Sequence, residues 1–591
     1  MSEWMELLAK AVAVAGLQVV LFVLVPAWAL ARLRWRDGSE WLFASGVAGV
    51  VSVALLGRLF NGFEWGAGRA LGVWLAAWGA IGFCAWRRNR DARVPRLDGT
   101  LLAILALAWG VRMVHPLQTW ALGQSDAYVH LWFMRDVLER GAVANSLYPP
   151  AYSWVMALPG WLLPGHPYWV ARFGGAFFGM GLALGVHALM AQVKGRAAGL
   201  AAAALVAGCP AFWLLQKTGV GCFPNQMGLL LIPAVLWAYA SGNFFWLALA
   251  LAGLLVSVPM MLLHVLLLLG ILWLAILWLF EGFVWRNARW GVAALVLGAV
   301  GMIAVSLRLS PGHGMVLASH FTNAPVQGLD PSSLSWPRVW GSLLADFLSV
   351  KRWGYGAWPA NLAALGSTLV LAWAWIGGWR RRDVAWFTVG GWGLLSSFNL
   401  HLGLFQFTNY QREGWSLLIA LACLGGLLFD VLWHWKPAAG PRRIWAVGLA
   451  LAAGAGLWIP PTHAIPAGPS ESDVVEFLLS LDPETMLLAR SMQGDVVRAF
   501  HEETVPEVWR LDQARGPILF LRDHPQIAPE VSPFMKVLQP SLTRLNEWTY
   551  RQAETVNRAT ERQLQADYEI RSRKNVSPHL EIWEVGPKRP E

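Results

Sequence analysis

The chain of 591 residues is 56% hydrophobic and only 14% charged, which excludes a soluble globular protein and predicts a polytopic membrane protein. Its formal net charge of +10 falls mostly in short clusters between apolar runs, so it reads as a topology signal and not as a nucleic-acid footprint. Cys84, Cys209 and Cys423 lie in apolar runs and Cys222 in a short loop; with no CxxC spacing, neither a zinc site nor a disulfide framework is supported.

Apolar runs of about 20 residues, the length of one bilayer crossing, begin near Leu7, Trp41, Gly66 and Gly99. Glu3 and Glu6 before the first run, and Arg32, Arg34 and Arg36 after it, favour a retained helix over a cleaved signal peptide. Tryptophans such as Trp28, Trp35, Trp41, Trp74 and Trp86 sit near run ends, where an amphipathic indole prefers the headgroup region. Basic clusters alternate with the runs: Arg32 to Arg36, Arg87 to Arg96, Lys194 with Arg196, Arg286 with Arg289, Arg380 to Arg382, and Lys436 with Arg442 and Arg443. The positive-inside rule places these in the cytoplasm, so the N-terminus and the stretch after the fourth run are expected outside. Arg58 and Arg69, flanking a short outer turn, are the main exceptions. The apolar stretch from Phe244 to Phe280 is too long for one crossing and is split near Pro259, leaving His264 at the outer face. Window counting predicts about fourteen transmembrane helices.

Three outer connections are expected, at 115–168, 307–359 and 401–413. The first carries Asp126, His130, Arg135, Asp136, Glu139 and Arg140 within a few turns, then a Tyr148-Pro149-Pro150 corner. From Asp126 to Gly141 the pattern is helical. Val129, Trp132, Phe133 and Val137 form an apolar stripe expected to lie on the membrane, with Asp136 and Glu139 on the solvated side. Asp126 and His130, four residues apart, share another face. A carboxylate held there against apolar walls suits general base catalysis or divalent cation binding. The competing reading is an interfacial helix capped by Ser125 or Asp126.

Beyond Trp458 the composition changes. Pro460, Pro461, Pro466 and Pro469 form a linker, and about twenty of the 36 acidic residues follow it. Strand-like runs at Met486 to Ala489, Pro517 to Leu521, Tyr568 to Arg571 and Leu580 to Val585 predict a small soluble α/β domain over 460–591. Helical patterns run from Asp473 to Leu481 and from Leu542 to Asp567. The domain has no Gly-rich phosphate loop, paired-Cys metal site or nucleophile elbow, which assigns it docking or support.

Other candidate groups are single charges. Arg412 at the outer mouth of a helix suits a phosphate, with an ordinary interfacial arginine as the competing reading. His264 under the outer loops reads either as a functional group or as a hydrogen-bonded structural histidine. Lys217, Arg308, Lys351 and Arg352 add outer cations that solvation alone would satisfy. Arg112, near the outer end of the fourth run, is more suggestive because charge inside a membrane segment is costly.

Ser125-Asp126-Ala127-Tyr128-Val129-His130-Leu131 opening a helix in the first large outer loop, followed by Tyr148-Pro149-Pro150, resembles the GT-C membrane glycosyltransferases that use polyprenyl-linked sugar donors. That superfamily includes protein mannosyltransferases, aminoarabinose transferases of lipid A and oligosaccharyltransferase catalytic subunits. The resemblance extends loosely to His264 and Arg412 and covers roughly Gly123 to Trp435. It implies a GT-C-like core over 99–459, preceded by additional helices over 1–98; the even number of spans places the domain over 460–591 outside the cytoplasm. It also implies that Asp126 is a base toward the acceptor or a metal ligand, with His130 beside it. Tyr148, Lys217, His264, Arg308, Arg352, Arg412 and Arg112 are then the substrate-binding candidates. No cofactor is required, and a divalent ion, Mg or Mn, is the optional one. The implied partners are a polyprenyl-phosphate or pyrophosphate sugar, a lipid, polysaccharide or protein acceptor outside the cytoplasm, and the bilayer of the cell membrane, with no nucleic acid. The nearest match to the WWDYG motif of oligosaccharyltransferases, Trp353-Gly354-Tyr355-Gly356, lacks the Asp and lies between spans, which speaks against glycan transfer to asparagine. A transporter or flippase would instead favour charges deep in the spans and paired broken helices. A non-catalytic envelope assembly protein would leave no outer charge individually important.

Overall fold

The computed structural model describes residues 3–33, 35–88, 95–118, 120–122, 125–143, 149–208, 223–258, 261–262, 265, 358–402, 413–434, 469–482, 485–489, 497, 499–500, 518–523, 540–578 and 580–588. The chain opens with α1 (Glu3–Val19), a π turn (Val20–Leu24) and α2 (Val25–Leu30), which run on as one rod. The π turn has a local cause. Pro26 has no N–H to continue the α-helical ladder, and Val25 N–H bonds back to the Val20 carbonyl, one residue further than an α-helix would reach.

Helix α3 (Gly38–Phe63) starts where Asp37 accepts hydrogen bonds from Ser39 N at 3.0 Å and Glu40 N at 2.9 Å. Then follow α4 (Ala67–Arg88), α5 (Gly99–Gln118), α6 (Ser125–Arg140), α7 (Ala151–Leu162), α8 (Tyr168–Phe173), α9 (Gly175–Val193), α10 (Arg196–Gly208), α11 (Pro224–Ala240), α12 (Phe244–Ser257), α13 (Trp358–Arg381), α14 (Val384–Leu402) and α15 (Glu413–Trp433). Among the described residues, five helices are long and apolar enough to cross a membrane: Trp4–Leu30, Gly38–Phe63, Ala67–Arg88, Tyr168–Val193 and Ser416–Trp433. Shorter apolar helices occur at Gly99–Val114, Arg196–Gly208, Phe244–Ser257 and Val384–Ser396.

The helices share one apolar core, with α9 central: it packs on α5, α10, α11 and α3. Three of the expected basic clusters meet at one end of this bundle. Arg36 donates to the Gln192 side chain, Arg196 pairs with Asp98 at 2.7 Å, and Lys194 pairs with Asp383 next to Arg380 to Arg382. The opposite end carries α6, α7 and α8.

Helix α6 differs from the expectation of a membrane-surface helix. Phe133 and Val137 are buried against protein, and Asp136, expected on the solvated side, is only 2% exposed and pairs with Arg140 at 3.7 Å. The reason is that α7 lies along α6 and residues 499–500 meet it at Tyr128 and Arg135, so Phe133 and Val137 have protein partners while Val129 and Trp132 stay partly exposed. Glu139 remains exposed and pairs with Arg135 at 2.9 Å. Gly141 closes α6 in the left-handed region (φ 76°), packed against the Glu64 carbonyl, and Val143 N then donates to Asn61 Oδ1 at 2.7 Å.

The C-terminal part contains α16 (Pro469–Ser480), β1 (Leu487–Ala489), β2 (Ile518–Asp523), α17 (Pro540–Asp567), β3 (Tyr568–Ser577) and β4 (Leu580–Pro587). The sheet order is β1-β2-β4-β3, with β1 and β2 parallel and the other pairs antiparallel. Strand β2 reads Ile518-Leu519-Phe520-Leu521, apolar on both faces because both are covered. Ile518 and Phe520 join Leu488, Trp583 and Val585 in a small core with Leu564 of α17. Leu521, Leu580 and Ile582 face the other way, in the cluster that contains Val474, Val475 and Leu478 of α16.

Candidate functional site

The candidate site is built at the α6 end of the bundle. Asp126 is the second residue of α6, in the turn where free N–H groups and the helix dipole favour an anion. The approach to this turn is fixed by Tyr128, a fully buried residue whose hydroxyl accepts from Leu122 N at 3.1 Å.

One turn further on, His130 lies inside an aromatic box. Its ring is 5.9 Å from Tyr152, 6.1 Å from Phe133 and 6.3 Å from Phe223, the last in a stacked arrangement. Burial pulls its pKa down to about 3, so at neutral pH it is an uncharged imidazole.

Arg112 of α5 is 2% exposed and donates from Nη1 to the Ala108 carbonyl at 3.0 Å. It is seated against α9 at Gly179, where a Cβ would fall 1.7 Å from the guanidinium Nε. The seat exists because residue 179 has no side chain. A charged group here has little access to water, which is the condition under which it binds an anion strongly.

Several polar residues of this region carry no motif and escaped the sequence reading. Gln18, Tyr152, Asn225 and Gln226 are all buried at the junction of α1, α7, α9 and α11. Gln18 Nε2 donates to Met156 Sδ at 3.6 Å, and a Cβ at Gly175 would fall 2.7 Å from Gln226 Oε1. The available signal is weak: Asn225-Gln226 opens an apolar helix, and uncharged polar side chains in such helices mark interior contacts. Arg172 was also missed. Its Nε donates to the Pro116 carbonyl at 2.7 Å, and its guanidinium lies 4.5 Å over the Trp120 ring, tying α8 to the end of α5.

The side chain of Asp126 and the residues Tyr148, Lys217, His264, Arg308, Arg352 and Arg412 lie outside the described residues. Of the expected constellation, the structure describes the side chains of His130, on α6 packed against α7, and of Arg112, on α5 packed against α8, α9 and α10. Among the described residues, no three His, Cys, Asp or Glu side chains are grouped to hold a metal ion.

The structure is similar to an archaeal oligosaccharyltransferase. Against the apo enzyme of Archaeoglobus fulgidus the identity is 14%, over 72% of this chain and 69% of that one, with a TM-score of 0.41. Against the same enzyme tethered with an acceptor peptide containing the NVT sequon, the values are 12%, 77%, 71% and 0.44. Against the A. fulgidus enzyme AglB with an inhibitory peptide and a dolichol-phosphate, they are 13%, 76%, 68% and 0.41. No family model and no curated protein sequence matches the chain.

Proposed function

We propose that this chain is a membrane glycosyltransferase of the GT-C kind, moving a sugar from a polyprenyl-phosphate or pyrophosphate donor to an acceptor outside the cytoplasm. The observation that carries the reading is α6 itself: a helix opening on Ser125-Asp126, enclosed by protein, with a buried neutral imidazole one turn from the carboxylate. An ordinary interfacial helix would not bury both a histidine and an aspartate. In this reading about fourteen spans surround the site, 99–459 forms the catalytic core, and the N-terminus and residues 460–591 are extracytoplasmic.

The chemistry is a displacement at the anomeric carbon. The acceptor oxygen forms the new bond, Asp126 takes its proton, and the bond from C1 to the phosphate oxygen breaks with its electron pair staying on the lipid phosphate. The leaving phosphate needs fixed positive charge. Arg112 supplies it in this proposal, together with Lys217, Arg308, Arg352 and Arg412, while Tyr148 and His264 border the sugar. The scheme runs without a metal; if Mg or Mn is bound, Asp126 is the ligand and the ion supplies charge at the phosphate.

The test is transfer from synthetic polyprenyl-phosphate and polyprenyl-pyrophosphate sugars by the purified protein. Asp126→Asn, with normal folding, is expected to lower the transfer rate by roughly 10²–10⁴-fold, the range for losing a general base. A folded variant with full activity removes Asp126 from the reaction.

A further inference from the structure

Among the described residues, the module that follows residue 468 touches α6 at a place built from aromatic rings. Phe500 is buried with its ring stacked on His166, centroids 4.9 Å apart and planes at 14°. Tyr168 lies 5.5 Å away and Tyr128 6.4 Å. Two of these three walls control the connection that leads into α6. The Tyr168 hydroxyl donates to the Trp120 carbonyl, and the Tyr128 hydroxyl accepts from Leu122 N at 3.1 Å. Next to the ring, the Ala499 carbonyl accepts from Arg135 Nη1 at 3.3 Å, near the middle of α6.

Phe500 is not a loose tail residue. It is buried together with its chain neighbours Val497 and Ala499, and the Ala499 carbonyl beside it is held by Arg135. The two ends of α6 are thus held differently. Its C-terminal end is fixed to α3 through Gly141 on the Glu64 carbonyl and Val143 on Asn61. Its N-terminal half, which presents Asp126, is fixed by Tyr128 and the seat that Phe500 fills. A reacting carboxylate must be held within about 0.5 Å of its working position, which requires its supports to be locked by packing.

We propose that Phe500 is a positioning residue: by filling the Tyr128–His166–Tyr168 seat, the C-terminal module fixes the first turn of α6 and with it Asp126. The inference rests on the proposed role of Asp126 for its kinetic consequence, but the mechanical link stands on the contacts alone.

The experiment uses the full chain in lipid nanodiscs, with Phe500→Ala and Phe500→Tyr compared with wild type. Amide hydrogen exchange over 120–131 is expected to quicken at least about tenfold in Phe500→Ala, with α3 and α9 unchanged, and to return to wild type in Phe500→Tyr, which keeps the ring. Transfer kinetics should show kcat lowered about tenfold and donor KM unchanged, restored by Phe500→Tyr. Unchanged exchange over 120–131 in Phe500→Ala overturns the proposal, as does a loss confined to KM. If Phe500→Ala also loosens α3 and α9, His166→Ala decides by the same criterion, since it removes one wall of the seat and leaves the module core intact. If Asp126→Asn retains activity, the exchange measurement still decides the mechanical link, so the two failures are distinguishable.

Discussion

His130 carries a charge state that sequence spacing does not reveal. At i and i+4 on a helix, Asp126 and His130 look like a carboxylate with a cationic partner; the aromatic box of Phe133, Tyr152 and Phe223 makes the partner neutral. The consequence is measurable. The folded imidazole has its pKa near 3, against an ordinary value of 6.5. Between those values the unfolded chain binds a proton that the folded chain refuses, so stability is full above pH 6.5 and falls as the pH drops below it. Each pH unit contributes about 1.4 kcal/mol, so acidifying from pH 6.5 to 5 is expected to cost about 2 kcal/mol through this group. His130→Gln should flatten that part of the pH dependence of the denaturation midpoint in detergent. An equal slope in both proteins shows that the imidazole is protonated in the folded state.

The crossing of α5 over α9 is the element whose geometry depends most on a missing side chain. A Cβ at Gly179 would fall 1.7 Å from Arg112 Nε and 2.0 Å from its Cδ, closer than atoms can approach. Gly179→Ala must therefore expel the guanidinium or part the helices, and the expected loss is about 1–3 kcal/mol, as for other overpacked interiors. Arg112→Ala combined with Gly179→Ala should recover part of it, because the second methyl fills space vacated by the first change; strict additivity of the two losses rules out the seat. At this scale the sequence was legible where the pattern is long. Runs expected to start near Gly66 and Gly99 begin as helices at Ala67 and Gly99, and each strand-like run of the C-terminal part overlaps an observed strand. It was illegible where one pattern has two physical meanings. The stripe Val129, Trp132, Phe133, Val137 looks the same whether lipid or α7 covers it, and Asp136 with Arg140 looks like a solvated pair until a neighbouring helix buries it. Of the site, Asp126, His130 and Arg112 announced themselves as charges out of place; Gln18, Tyr152 and Gln226, uncharged inside apolar runs, did not. Phe500 was out of reach for another reason: its contact with α6 closes a gap of 364 residues between Arg135 and Ala499, and no local pattern encodes that.

At the scale of the whole molecule, the charges divide the bundle into two ends. Arg36, Lys194, Arg196 and Arg380 to Arg382 gather at one end through the contacts with Gln192, Asp383 and Asp98, although they come from three separate connections. Helix α6 and residues 499–500 occupy the other. Cytoplasmic connections are enriched in Lys and Arg, so the gathered end is expected to face the cytoplasm and α6 the outside. Single cysteines in a background lacking Cys84, Cys209, Cys222 and Cys423 test this directly. Glu139 and Arg196 are the positions of choice, because both are exposed and their surface ion pairs are worth at most about 1 kcal/mol. Glu139→Cys should react with a membrane-impermeant maleimide in intact cells, and Arg196→Cys only after permeabilisation. The opposite result would leave the helix packing untouched but move Asp126 to the cytoplasmic side, where a lipid-linked donor loses its rationale because soluble activated sugars are at hand. Orientation is thus the property of the whole chain on which the proposed reaction most depends.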